Sequence, residues 1–105
     1  VVQSNSSWQT AEAQKYLAQL CKHFGHKIEV VHTERDGECR FACGTALLHA
    51  HEDRLDITVS APDDEQLQQT QSVIERHLVT FAYRENLEAL EWRPAAQSTD
   101  QDDKA

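Results

Sequence analysis

The chain has 105 residues, with 18 acidic against 10 basic side chains and a formal charge of −8. That length supports one hydrophobic core, and that charge repels phosphate backbones and anionic lipid, which excludes nucleic acid and membrane surfaces as leading partners. No apolar run approaches the ~20 residues of a membrane span, and the N-terminus lacks the basic start and apolar run of a secretory leader. Six histidines make the net charge unusually responsive to mild acid. Three cysteines are an odd number. Cys39 and Cys43 on one extended strand would sit about 13 Å apart, too far to bridge, so reduced thiols in a cytoplasmic protein are the expectation.

Residues 1–9 (VVQSNSSWQ) are mostly polar and are expected to be a flexible lead into a single domain over 10–93. Thr10 offers an N-cap, and Ala13, Leu17, Leu20, Cys21 and Phe24 recur at spacings of three and four, which predicts a helix over 11–24 ended by Gly25 in the left-handed conformation. From Lys27 to Ala61 the period becomes two. Ile28, Val30 and His32 alternate inward up to a hairpin turn at Asp36-Gly37. A second strand over 38–42 turns at Cys43-Gly44 into a third over 45–51, and Leu55, Ile57, Val59 and Ala61 mark a fourth. Pro62 and the acids after it open a second helix with Leu67, Ile74, Leu78 and Phe81 as its stripe, running to about Glu85. A last strand is predicted over 87–93, and residues 94–105 read as a disordered acidic tail. The sum is an α+β two-layer sandwich: an antiparallel sheet of four to five strands with both helices on one face.

The stretch LCKHFGHK, residues 20–27, holds Cys21, His23 and His26. Helical geometry turns Cys21 and His23 roughly 200° apart, so the two cannot share one ion while the helix persists. A buried thiol with helix-end histidines near the last carbonyls is the favoured reading, and a metal site from Cys21, His23, His26 and His77 is the alternative. On the outer sheet face, a Glu52-Asp53 loop sets His49 opposite Asp56, and the Cys43-Gly44 turn sets Glu38 opposite His49. The resulting row Glu38, His49, Asp56 reads first as a solvated ion-pair row. No nucleophile elbow or glycine-rich phosphate loop occurs, so no catalytic residue and no cofactor is expected.

Two segments, YLAQLCKHFGHK (16–27) and HLVTFAYRENLEALEW (77–92), together with the strands around Gly44, resemble the bacterial family catalogued as domain of unknown function 2218, over roughly residues 8–93. Tyr83 stands where a phenylalanine is more usual. The family has no established activity. Some of its members are encoded beside or joined to siderophore-interacting flavin reductases, so the resemblance implies a role in iron acquisition. Core packing leaves the motif residues Lys22, His23, His26, Lys27, His77, Arg84 and Glu85 unexplained, and the resemblance marks these as a surface for binding a ligand or partner. The function it implies is a non-enzymatic accessory module that contacts a siderophore or a siderophore-interacting reductase. The alternatives are direct transition-metal or haem binding, and a structural protein forming a homodimer through its outer sheet face.

Overall fold

The computed structural model describes residues 1–85, 87 and 89–94. Its elements are β1 (Val2–Gln9), α1 (Ala13–Phe24), β2 (Glu29–His32), β3 (Asp36–Arg40), β4 (Thr45–Ala50), β5 (Arg54–Ala61), α2 (Asp64–Phe81), a short 3₁₀ turn (Tyr83–Glu85) and β6 (Arg93–Pro94). The strands form one antiparallel sheet in the order β2-β3-β4-β5-β1-β6. Both helices lie on one face of it. The α+β sandwich expected from periodicity is therefore present, with one more strand than the upper expectation.

That additional strand is β1, in the segment expected to be flexible. It pairs with β5 over eight positions, from Val2↔Ala61 to Gln9↔Arg54. Its inward residues are Val2, Ser4, Ser6 and Trp8, and two serines in the middle erase the apolar alternation that marks a strand. Ser4 is nevertheless buried, accepting a hydrogen bond from Gln71 Nε2 of α2, and Ser6 is buried beside it with its hydroxyl unpartnered. At the other end, of the last strand predicted over 87–93, only Arg93 pairs among the described residues, with Asn5, and the pairing continues one residue beyond the prediction in Pro94, with Ser4. The tail expected over 94–105 lies, beyond Pro94, outside the described residues.

Helix α1 buries Ala13, Tyr16, Leu17, Leu20, Cys21 and Phe24, and α2 buries Leu67, Thr70, Ile74 and Leu78. They cover Cys39, Ala46, Leu48, Ala50, Leu55, Ile57, Val59 and Ala61, the inward positions of β3 to β5. Asp63 caps α2 by accepting from the Gln66 backbone N–H at 2.8 Å, and Asp64 and Glu65 follow at the positive end of the helix dipole. The helix ends at Phe81, four residues short of the expected end, and the chain tightens into the 3₁₀ turn.

Three local expectations change. Gly25 does not take the left-handed conformation: its φ of −61° is right-handed, its N–H donates to Cys21 O, and the chain leaves through Lys27 N and Ile28 N, both bonded to Phe24 O. Thr10 does not cap at the helix edge. The residue before α1 is Glu12, which has no side-chain cap, while Thr10 Oγ1 accepts from the Glu12 N–H two residues away at 3.1 Å. Neither predicted turn contains its glycine. The first hairpin turns at Thr33–Arg35, where Thr33 Oγ1 accepts from the Asp36 N–H at 3.1 Å, and the second turns at Ala42-Cys43 between the mutually bonded Phe41 and Gly44.

The glycines lie in or beside the strands because of what packs on them. A Cβ on Gly37 would sit 2.7 Å from Cys21 Sγ, and one on Gly44 would sit 2.5 Å from Ser60 O and 2.6 Å from Thr70 Oγ1. Each is a point where a helix comes down to the sheet backbone.

Leu20→Ala and Leu78→Ala, both at fully buried positions, are each expected to destabilise by about 2–5 kcal/mol in urea unfolding. Gly44→Ala is expected to cost about 1–3 kcal/mol through overpacking against backbone. A Gly44→Ala protein as stable as the parent would show that α2 does not approach β4 this closely.

Candidate functional site

The motif residues left unexplained by packing fall into two groups at opposite ends of α1. At its C-terminal end, α1 and α2 pass side by side and bring His23 to His77, with ring centroids 4.8 Å apart. Phe24 stands 4.8 Å from His77, Phe41 4.9 Å from Phe24, and Phe81 5.7 Å from His23, so the two imidazoles sit on an aromatic floor. His77 is oriented by its own helix. Its Nδ1 lies 2.7 Å from Val73 O, and since a carbonyl only accepts, Nδ1 carries a proton, which makes Nε2 the basic nitrogen of the neutral ring. Lys22, His26 and Lys27 are exposed around the pair. The proton affinity of His23 is lowered, first by partial loss of hydration and then by positive charge on His77, Lys27 and His26.

Cys21 does not join them. It is buried on the opposite side of α1, as helical geometry predicts. Among the described residues, no group of three or more His, Cys, Asp or Glu side chains is arranged to hold a metal ion, and no histidine nitrogen hydrogen-bonds a serine or cysteine.

Arg84 and Glu85 lie near the start of α1, where Glu85 meets Tyr16, about 10 Å along the axis from His23. The Glu85 carboxylate accepts from Tyr16 Oη at 2.7 Å and from Thr10 Oγ1 at 2.9 Å. It thereby ties the turn after α2 to the β1–α1 junction. Burial first, and then the Glu85 hydrogen bond and charge, push the Tyr16 phenol up to about 12. Arg84 donates to Tyr83 Oη at 3.0 Å and lies beside that ring. Structural ties account for Glu85, so the seven motif residues do not form one contiguous surface.

On the outer sheet face, His49 stands opposite Asp56 as the hairpin register requires. Glu38 does not complete the row. The β3–β4 turn lies one residue earlier than expected, which shifts the pairing by two: Glu38 faces Leu47, and Asp36 faces His49. A two-residue shift keeps every side chain on its face, so the apolar pattern could not reveal it. His49 Nδ1 meets Asp36 Oδ1 at 2.6 Å, while Asp56 takes Ser7 Oγ at 2.7 Å, His51 Nε2 at 2.8 Å and Arg54 Nε at 3.1 Å. Burial works to raise the Asp56 carboxyl, but the hydrogen bonds from Ser7, His51 and Arg54, with the charge of Arg54, outweigh it and hold the group below the usual carboxylate range. Glu38 pairs instead with Arg40 at 2.8 Å. The sequence reading missed Asp36, Ser7, His51 and Arg54 in this network. The pairing of His51 with Arg54 across the Glu52-Asp53 loop was the available signal. Beside the row, Val31 and Leu47 are exposed over a shallow depression of about 340 Å³.

No helix among the described residues is long and apolar enough to cross a membrane. Residues 5–93 match the model of a family described as uncharacterized protein conserved in bacteria, DUF2218. The fold is similar to the NMR structure of PA4090 from Pseudomonas aeruginosa, with a TM-score of 0.77 and 37% identity, over 90% of this chain and 98% of that one. No curated protein matches the chain.

The Glu85 tie is read out by the titration of Tyr16. Absorbance titration is expected to show Tyr16 ionising near 12, moved toward its ordinary 10.0 by Glu85→Ala but not fully restored, because burial remains. The folded-state value is the higher one, so the stabilisation it represents is complete below pH 10 and is lost as pH rises toward 12. A Tyr16 midpoint unmoved by Glu85→Ala would break the proposed tie.

Proposed function

The chain belongs to this bacterial family, DUF2218, and we propose that it acts as a non-enzymatic binding module in the cytoplasm, with its contact surface at the C-terminal end of α1. Lys22, His23, His26 and Lys27, with His77 from α2, would receive an anionic ligand or an acidic partner surface. The observation that carries this reading is the convergence of His23 and His77 at 4.8 Å, beside the exposed Lys22 and Lys27, in a chain whose overall charge is −8. A local positive site in an acidic protein selects for a ligand that contacts that site rather than for anions in general. The resemblance to proteins found with siderophore-interacting reductases favours a ferric siderophore or such a reductase as the occupant. Arg84 and Glu85 fall outside this surface, because they are engaged at the other end of α1.

A second reading follows from the tautomer of His77. Its bare Nε2 beside His23 is the start of a transition-metal site, since a ligating histidine characteristically donates its other N–H to a carbonyl. Two histidines alone make a weak site, and the measurement that separates the readings is the metal content of protein purified without a histidine tag. One equivalent of metal, lost together with stability in His23→Ala, would favour the metal reading.

Calorimetric titration with a ferric catecholate siderophore, and capture by a siderophore-interacting reductase, test the first. His23→Ala and Lys27→Ala are each expected to weaken binding by about tenfold or more, while unfolding free energy changes by less than about 0.5 kcal/mol, as at other exposed positions. The pH dependence has a definite sign. His23 is neutral at neutral pH and gains charge only below the ordinary 6.5, so affinity for an anion rises on acidification. Over the same interval the free protein loses stability, because the unfolded chain takes up the proton first. Binding indifferent to both substitutions and to pH would sink this assignment.

A further inference from the structure

Cys21 and Cys39 take no part in the surface assigned above, yet they are the two buried thiols of the molecule. They come from different elements. Cys21 projects from α1 onto β3, with its sulfur where a side chain on Gly37 would otherwise stand. Two residues further along β3, on the same inward face, is Cys39, so both thiols are buried between α1 and one short stretch of strand, close enough for each to perturb the ionisation of the other. Gly37 lets the first sulfur down to the level of the strand, and the alternation of β3 brings the second beside it. Cys43 is elsewhere, in the β3–β4 turn, where Thr70 Oγ1 donates to its sulfur at 3.2 Å.

We propose that Cys21 and Cys39 are an oxidative modification site, a dithiol that closes reversibly to a disulfide between α1 and β3 when the protein meets a small peroxide. The asymmetry of the pair assigns the roles. The neighbouring Cys39 thiol favours the thiolate of Cys21, whereas proximity to Cys21 and burial both resist ionisation of Cys39. The Cys21 thiolate attacks one peroxide oxygen, the O–O bond breaks, and the departing hydroxide takes up the thiol proton as water, leaving a sulfenic acid on Cys21. The Cys39 sulfur then attacks the Cys21 sulfur, the S–O bond breaks, and a second water leaves with the Cys39 proton. Two thiols have lost two electrons and two protons, and the peroxide has become two waters. Burial restricts the reaction to small oxidants admitted by local opening of the helix end, and excludes bulky disulfides. The bond pins α1 one residue before Lys22, and so joins the helix end that carries the assigned surface covalently to the sheet.

The test uses Cys43→Ser protein, which removes the turn thiol, treated with hydrogen peroxide and then alkylated with iodoacetamide in denaturant. The expected result is loss of two hydrogen atoms per chain, a non-reducing peptide map joining Cys21 to Cys39, reversal by a dithiol reductant, and a raised thermal midpoint. Adding Cys39→Ala should abolish the linked peptide and leave a Cys21 sulfenic acid that dimedone traps. Should that second variant fail to fold, the Cys43→Ser map decides alone. Two thiols still open to alkylation, or Cys21 oxidised to sulfinic acid with no linked peptide, would overturn the proposal.

Discussion

Helix α1 rests so low on the sheet that the sulfur of Cys21 occupies the volume a side chain at position 37 would need. Much of the molecule's geometry depends on that approach. With Cys21 down against β3, Leu17, Leu20 and Phe24 reach the sheet fully, and the far side of the same turn carries His23 out toward α2. The second helix is held by the corresponding contact at Gly44, where Thr70 replaces the missing side chain. Two glycines thus set the heights of two helices, and the heights bring the imidazoles of His23 and His77 together.

This use of glycine also explains where the sequence reading erred. Asp36-Gly37 and Cys43-Gly44 carry the composition of hairpin turns, and turn propensity is a local argument. The glycines answer instead to helices remote in sequence, so the turns fall at Thr33–Arg35 and Ala42-Cys43. What was legible was what period alone determines: both helical stripes, the inward faces of β2 to β5, and the Glu52-Asp53 hairpin with its register. Strand β1 was not legible, because Ser4 and Ser6 occupy inward positions that a single-chain pattern assigns to apolar residues. Only the proximity of α2, which supplies Gln71 to Ser4, shows why a hydroxyl is tolerated there.

The candidate site was legible in part. Helical angles separated Cys21 from His23 correctly, and His77, which the sequence grouped with them, meets His23 because the two helices pack side by side. Arg84 and Glu85 were grouped with them because they share the family motifs and core packing gave them no role. A carboxylate that receives the hydroxyls of Thr10 and Tyr16 is instead a joint between the start of α1 and the end of α2. No linear pattern reveals that, since its partners are some seventy residues away.

The position of β1 has a consequence for how the chain assembles. Strands β2 to β5 are joined by short turns and can zip together at small cost in chain entropy, each strand beside the one made just before it. Strand β1 precedes them all, yet its only places are beside β5 and, through Ser4 and Asn5, beside β6. Its pairing closes a loop that contains α1 and the whole meander. Strand β1 is therefore left without its main partner until β5 has emerged, and the register Val2↔Ala61 joins residues separated by α1 and the entire meander. In topological terms β1 is a clasp: the meander and its helices can form behind it, but only its insertion between β5 and β6 makes the sheet continuous.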